Sequence, residues 1–110
     1  MSGGTVHVDA DSNISDQGFA IRITDASMAP EFTVGDIVII DPAAQVRPGD
    51  CVLAEVAGQA GAVFREYRQR DGGAELSAQN PVFSSYRIGG SAGGAVIGPM
   101  VEHRRRSRLI

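Results

Sequence analysis

The residue with the clearest potential for chemistry is Ser27, which lies in a polar turn between two strand-like segments. The segment Phe19–Ile23 alternates as a strand, and the turn Asp25–Pro30 must end it because proline disfavours a continued ladder and restricts the residue before it. A serine at such a junction can present its hydroxyl to a substrate while neighbouring N–H groups bind a developing oxyanion. Serine is equally an ordinary turn residue, and no base stands nearby in the sequence. The local pattern leaves a nucleophile and a turn serine both open.

A second residue of interest is Arg65, in the strand-like segment Ala62–Arg68. Side chains alternate across a strand, so Arg65 shares one face with Val63 and Tyr67. An arginine in apolar company can pack its stem and extend its guanidinium into water at a sheet edge. It can also point into a pocket around Ser27, and the pattern alone does not choose between these two interpretations.

The other candidates for a nucleophile or a base, Cys51, His7 and His103, have less support from the sequence. Cys51 is the one cysteine of the chain, so an internal disulfide and a cysteine cluster for zinc are excluded. It lies in an apolar run and is predicted to be a small buried side chain. His7 falls in a Gly, Ser and Asp-rich start, and His103 is predicted to be exposed near the basic end. We predict no metal and no cofactor.

Composition bounds the protein class. The 110 residues suffice for one domain, and 43% hydrophobic but only 5% aromatic residues with 14 glycines favour short strands between many turns. The net charge is −3 and all ten basic residues are arginine, which argues against wrapping nucleic acid by bulk charge. No apolar run approaches the roughly 20 residues that span a bilayer. We therefore expect a soluble, cytoplasmic protein that does not enter a membrane.

The elements that must position Ser27 and Arg65 are predicted to be short strands in a mostly β, largely antiparallel fold. The pattern predicts seven of them: Phe19–Ile23, Ile37–Ile40, Cys51–Val56, Ala62–Arg68, Ala74–Ala78, Tyr86–Ile88 and Ala95–Val101. Turns with Gly35–Asp36 and Gly49–Asp50 are each expected to display an acid at the surface. We divide the chain into a flexible N-terminal linker (1–18), one domain (19–103) and a basic tail (104–110).

Together these residues resemble the C-terminal domain of LexA and of related phage repressors, the self-cleaving branch of the serine-lysine peptidases that includes UmuD and the signal peptidases. The resemblance covers Phe19–Val101 and rests on five motifs, which are Ser27-Met28-Ala29-Pro30, Gly35-Asp36 with Ile37–Asp41, Val46-Arg47-Pro48-Gly49-Asp50, Val63-Phe64-Arg65-Glu66-Tyr67, and Leu76–Phe83 with Val96-Ile97-Gly98. It implies a small, largely antiparallel and partly open barrel of about seven short strands.

The resemblance also implies roles for single residues. Ser27 matches the nucleophile, and Arg65 stands where the family has the lysine that takes the serine proton. Asp25, Met28 and Pro30 are expected to form the binding groove. Burial can lower the pKa of a lysine toward neutrality, whereas arginine stays protonated, so the resemblance implies a degenerate site.

The resemblance implies a function in gene regulation. The family cuts itself at an Ala-Gly dipeptide upstream of the serine, and none occurs in Met1–Ala26. We expect the C-terminal dimerisation and regulatory domain of a LexA-like or prophage transcriptional repressor, a homodimer that reaches DNA only through an N-terminal domain absent from this chain. Ala95–Val101 is expected at a sheet edge, where it could pair. A RecA filament or an anti-repressor is the further partner implied.

Two alternatives remain open. The domain could be an active LexA- or UmuD-type serine self-peptidase that uses Ser27 with another base or a water relay. It could instead be a small barrel that binds nucleic acid through Arg104, Arg105, Arg106 and Arg108, although few aromatic residues and a negative net charge count against stacking on single strands.

Overall fold

Seven β-strands make up nearly all regular structure in residues 14–105, the part of the chain that the structure, a computed structural model, describes. They are β1 (Phe19–Arg22), β2 (Ile37–Ile40), β3 (Cys51–Glu55), β4 (Ala62–Arg70), β5 (Gly73–Ser77), β6 (Tyr86–Ile88) and β7 (Ala95–Arg104), with a short 3-10 turn at Gly90–Ala92. The predicted mostly β fold is confirmed. The predictions for His7, Arg106 and Arg108 concern residues outside the described range.

All strand pairs are antiparallel, and the seven strands form one sheet that does not close, in the order β1-β2-β7-β3-β4-β5-β6. The prediction that Ala95–Val101 lies at an edge is wrong. Strand β7 has ten residues, long enough to pair β3 through Ala95–Pro99 and β2 through Met100–Arg104, so it joins the two halves of the sheet. The edges are β1 and β6. No helix within residues 14–105 is long and apolar enough to cross a membrane.

The core lies on both faces of the central strand β3. Cys51 and Leu53 belong to one buried cluster, and Val52 and Ala54 belong to the other, because successive side chains of a strand point to opposite faces. The first cluster also holds Met28 from the Ser27 turn, together with Ile23, Phe32, Val38, Ile40 and Phe64. The turn that carries Ser27 is therefore anchored in the core by the side chain next to it.

The Gly35–Asp36 turn differs from its prediction. Gly35 has a φ of 98°, as a turn glycine, but Asp36 is 1% exposed and does not display its carboxylate at the surface. Its carboxylate accepts from the Thr33 N–H at 3.0 Å and lies 2.9 Å from His103 Nε2. His103, predicted to be exposed, is therefore half-buried in β7 and pairs with Asp36. The buried carboxylate needs such partners because burial without them is costly.

The first described residues are tied to the loop after β2. Ser15 donates from its N–H and its hydroxyl to the Asp41 carboxylate, at 2.9 and 2.5 Å. Gly98 of β7 packs against the same loop, since a Cβ atom added to Gly98 would lie 2.9 Å from the Pro42 backbone. The predicted boundary after residue 18 stays a prediction, and Arg104, assigned to the basic tail, is the last residue of β7.

Candidate functional site

The Ser27 turn is held by its own side chains and backbone. The Asp25 Oδ1 atom accepts from the Ser27 N–H at 2.9 Å, which is the pattern of an Asx-turn. The Ala29 N–H donates to the Ala26 carbonyl at 3.1 Å, and the peptide bond between Ala29 and Pro30 is cis. These contacts bury Ser27, which is 3% exposed.

A second loop supports the turn from outside. The Asn80 N–H donates to the Ser27 carbonyl at 3.0 Å, and Asn80 Nδ2 donates to the Ala26 carbonyl at 3.1 Å. Sequence reasoning gave Asn80 no role, since its partner is 54 positions away and only the Asn80-Pro81 turn signal marked the place. The loop after β5 therefore positions Ser27.

Arg65 lies directly against Ser27. Its Nη1 donates to Ser27 Oγ at 2.8 Å and to the Phe64 carbonyl at 2.9 Å, and its Nε donates to the Ser84 carbonyl at 3.3 Å. The Tyr86 ring lies 5.4 Å from the guanidinium carbon. Arg65 is 5% exposed, so the guanidinium lies inside the protein and does not extend into water.

The charge of Arg65 is balanced by carbonyl oxygens rather than by an ion pair. In residues 14–105, no carboxylate oxygen lies within 4.0 Å of its nitrogens. The nearby Asp25 carboxylate feels its charge: burial acts to raise the pKa of Asp25, but hydrogen bonding from Ser27 and the Arg65 charge outweigh burial and lower it. Asp25 is therefore a carboxylate at neutral pH.

Ser27 and Arg65 line a cavity of about 560 Å³, called the groove below, between the end of β1 and the start of β4. One wall is Ile21–Asp25, which includes the free edge of β1. The other is Ala62–Arg65, whose outer side no described strand covers, because β5 pairs with β4 only from Glu66 onward. The Ile23 N–H and C=O and the Phe64 carbonyl are already bonded within the domain. The outer sides of both walls are otherwise uncovered by described strands, so an extended chain can approach them.

The residues predicted for the groove have different positions. Asp25 and Met28 line it, although Met28 is 1% exposed and belongs mainly to the core. Pro30 is exposed and lies outside the lining. The groove is completed by Phe83 and Tyr86, which the local sequence patterns did not mark.

The other candidate nucleophile and base lie elsewhere. Cys51 is buried, and burial together with the charges of Glu31 and Glu66 raises the pKa of its thiol to about 12. The thiolate, which is the reactive form, is thus absent at neutral pH. His103 pairs with Asp36 and does not line the groove.

The arrangement can hold an oxygen atom of a ligand beside a serine hydroxyl and a permanent cation. Arginine has five N–H donors and no acceptor, so Arg65 can donate to a carbonyl or carboxylate but cannot take the Ser27 proton at neutral pH. The Met28 N–H, adjacent to Ser27, donates to no acceptor in residues 14–105 and adds a backbone donor.

An open antiparallel sheet with a buried serine beside a groove is compatible with a domain of the serine-peptidase type. The chain belongs to the peptidase S24-like family, whose model matches residues 3–101. This match confirms the predicted relationship to the C-terminal domains of LexA and the phage repressors. No curated protein matches the chain. The individual roles of Ser27, Arg65, Asp25, Met28 and Pro30 stay predictions.

Proposed function

We propose that this chain is the C-terminal pairing and regulatory domain of a LexA-like or prophage repressor, with a serine site that no longer cuts peptide bonds. The observation that carries this proposal is the hydrogen bond from Arg65 Nη1 to Ser27 Oγ at 2.8 Å. The family relationship supports a repressor-type domain, and the arginine beside the serine supports loss of cleavage.

The proposed loss of cleavage follows from the lack of a group that can accept the Ser27 proton. A serine attacks a carbonyl only as its proton leaves, and a partner with a pKa near neutrality accepts it best. Removing the proton of arginine at pH 7 costs roughly 6 pKa units at 1.36 kcal/mol each, or about 8 kcal/mol of barrier. Arg65 instead donates to Oγ and has no acceptor for the proton, so Ser27 stays a neutral alcohol.

Cleavage of a peptide with an internal Ala-Gly bond tests this proposal directly. The unmodified chain should leave the peptide intact at pH 7 and at pH 10, as measured by mass spectrometry. Arg65→Lys should introduce slow cleavage that accelerates as pH rises through the lysine pKa, and Ser27→Ala should abolish it. Cleavage by the unmodified chain that disappears in Ser27→Ala would overturn the proposal.

A second function is favoured by the position of Asp25. Its carboxylate lies beside Ser27, whose N–H donates to Asp25 Oδ1 at 2.9 Å, so it is a candidate base for an active self-peptidase. Its lowered pKa makes it a weak base, and for this reason the inactive site ranks first. Asp25→Asn keeps an oxygen for the Ser27 N–H and removes the base, so it should abolish activity only if this second function holds.

DNA binding through a separate N-terminal domain, and regulation by a RecA filament or an anti-repressor, are parts of the same proposal. The net charge of −3 supports a domain that leaves DNA contacts to another part of the repressor. A gel-shift titration with unrelated duplex DNA should show no retention by this chain at physiological salt.

A further inference from the structure

The groove leaves part of the Arg65 guanidinium unused. Nε and Nη1 have protein acceptors, whereas no described residue accepts from Nη2. Among the described residues, no fully enclosed side-chain nitrogen or oxygen lacks a partner, so Nη2 keeps some accessible surface on a residue that lines the groove. A desolvated cation with free donors and no carboxylate in contact is complementary to an anion.

The two walls of the groove indicate what kind of ligand carries that anion. Four successive antiparallel pairings separate β1 from β4 in the sheet, so the two strands run in the same direction on either side of the groove. The outer sides of both walls are uncovered by described strands, and Thr24 makes no backbone hydrogen bond within residues 14–105. The backbone of Ile23 and the Phe64 carbonyl are already bonded and are not available to a peptide. An extended peptide can therefore add between them by backbone hydrogen bonds, with its apolar side chains against Leu53 and Phe64.

The groove is closed at the Arg65 end. From Glu66 onward β5 occupies the edge of β4, and beside Arg65 the Ser84 carbonyl and the Asn80 contact to Ser27 complete the closure. An extended chain that follows the walls must end there or, as an internal Ala-Gly peptide would have to do to be cut at Ser27, turn away from the sheet. A chain parallel to β1 and β4 brings its C-terminus to Arg65, whereas the opposite direction would bring a positively charged N-terminus against a buried cation.

We infer that the groove binds the C-terminal end of an extended peptide, with the free α-carboxylate on Arg65 Nη2. This inference rests on the proposed function, because an arginine in place of a base is what supplies a permanent cation for the carboxylate. The carboxylate supplies the directly bonded anion that Arg65 lacks, since Asp25 lies in the same groove but more than 4.0 Å from the guanidinium nitrogens. A charge-assisted hydrogen bond is about twice as strong as a neutral one. Arg65 is thus a binding residue that selects chain ends over internal segments.

The test compares two fluorescein-labelled peptides, Val-Ala-Val-Ala-Ala with a free C-terminal carboxylate and the same peptide as its amide. Fluorescence anisotropy on the full chain should show at least about tenfold tighter binding of the acid. Arg65→Gln should bring the two affinities to within about twofold, because it removes the charge. The matched control Arg87→Gln, at an exposed position of β6, should keep the preference.

Equal binding of acid and amide by the unmodified chain, or saturation by neither peptide at about 1 mM, overturns the inference. An undiminished acid preference in folded Arg65→Gln overturns it as well. The comparison on the unmodified chain stands even if Arg65→Gln does not fold. None of these results touches the proposed function, which is overturned instead by cleavage of the internal Ala-Gly peptide.

Discussion

Arg65 donates from Nη1 to Ser27 Oγ at 2.8 Å, and both side chains are buried, at 5% and 3% exposed. The pair joins the start of β4 to the turn after β1, the two walls of the groove. Its chemistry is one-directional, since the guanidinium can donate to the hydroxyl oxygen and cannot receive its proton.

The energy of this pair can be measured by a double-mutant cycle. Ser27→Ala should lower the free energy of unfolding by about 1 kcal/mol, because Arg65 Nη1 keeps the Phe64 carbonyl as an acceptor. Combined with Arg65→Gln, the cycle should give a coupling of about 1 kcal/mol, because Ser27→Ala should cost almost nothing once the charged donor is gone. Urea denaturation measures all four proteins, and zero coupling would contradict a direct bond.

The buried Asp36 carboxylate predicts a cost for losing His103. His103→Ala removes a hydrogen-bond partner at 2.9 Å and the ring contact with Phe32, whose centroid lies 4.4 Å from that of His103. The free energy of unfolding should fall by about 2 kcal/mol. His103→Gln, which keeps a polar group, should recover part of the loss, and thermal melts that show no difference from the unmodified chain would contradict the pair.

Asp41 predicts a dependence of stability on pH. Hydrogen bonds from Ser15 lower the pKa of Asp41 below its ordinary value of 3.8, so the folded state binds this proton less readily than the unfolded state. The associated stability is present above the unfolded pKa and is lost as pH falls through the lower folded pKa. Ser15→Ala should flatten this loss in acid denaturation curves.

Ser91→Ala, an exposed serine in the 3-10 turn, is the matched control and should leave those curves unchanged. The same acid dependence in Ser15→Ala as in the unmodified chain would assign the effect to other carboxylates, of which Asp25 is the first to examine.

Cys51 should resist modification. With its thiol buried and its pKa raised to about 12, reaction with a thiol reagent at pH 8 should require unfolding. Labelling should complete within seconds in denaturant and remain below about one tenth in native buffer over the same time. Rapid native labelling would contradict the burial of β3.

Pairing of two copies is expected from the family role in repressors rather than from an exposed β7, which lies inside the sheet. Light scattering should show a dimer, and a strictly monomeric mass at about 100 μM would contradict it. Charged substitutions at the free edges β1 and β6 would then show whether either edge forms the interface.

Local sequence patterns were enough to predict where the strands and the turns between them lie. Strands β2 and β6 have the predicted bounds, and the other five differ mainly at their ends because pairing, which the sequence does not display, decides where a strand stops. Strand β7 runs three residues beyond its predicted end at Val101 because β2 pairs with it through Arg104. Alternation, apolar runs and glycine turns act over a few residues and are therefore readable.

The sequence by itself determined that a serine follows the first strand and that the chain has arginine but no lysine to place near it. The resemblance had already named Arg65, but only the tertiary structure decided that its guanidinium contacts Ser27. The tertiary structure also decided that Asn80, Ser84 and Tyr86 fix the serine turn and the guanidinium. It also placed Asp36 and His103 in a buried pair rather than at the surface. These contacts join residues far apart in the chain, and they depend on how the sheet curls, which no local pattern encodes.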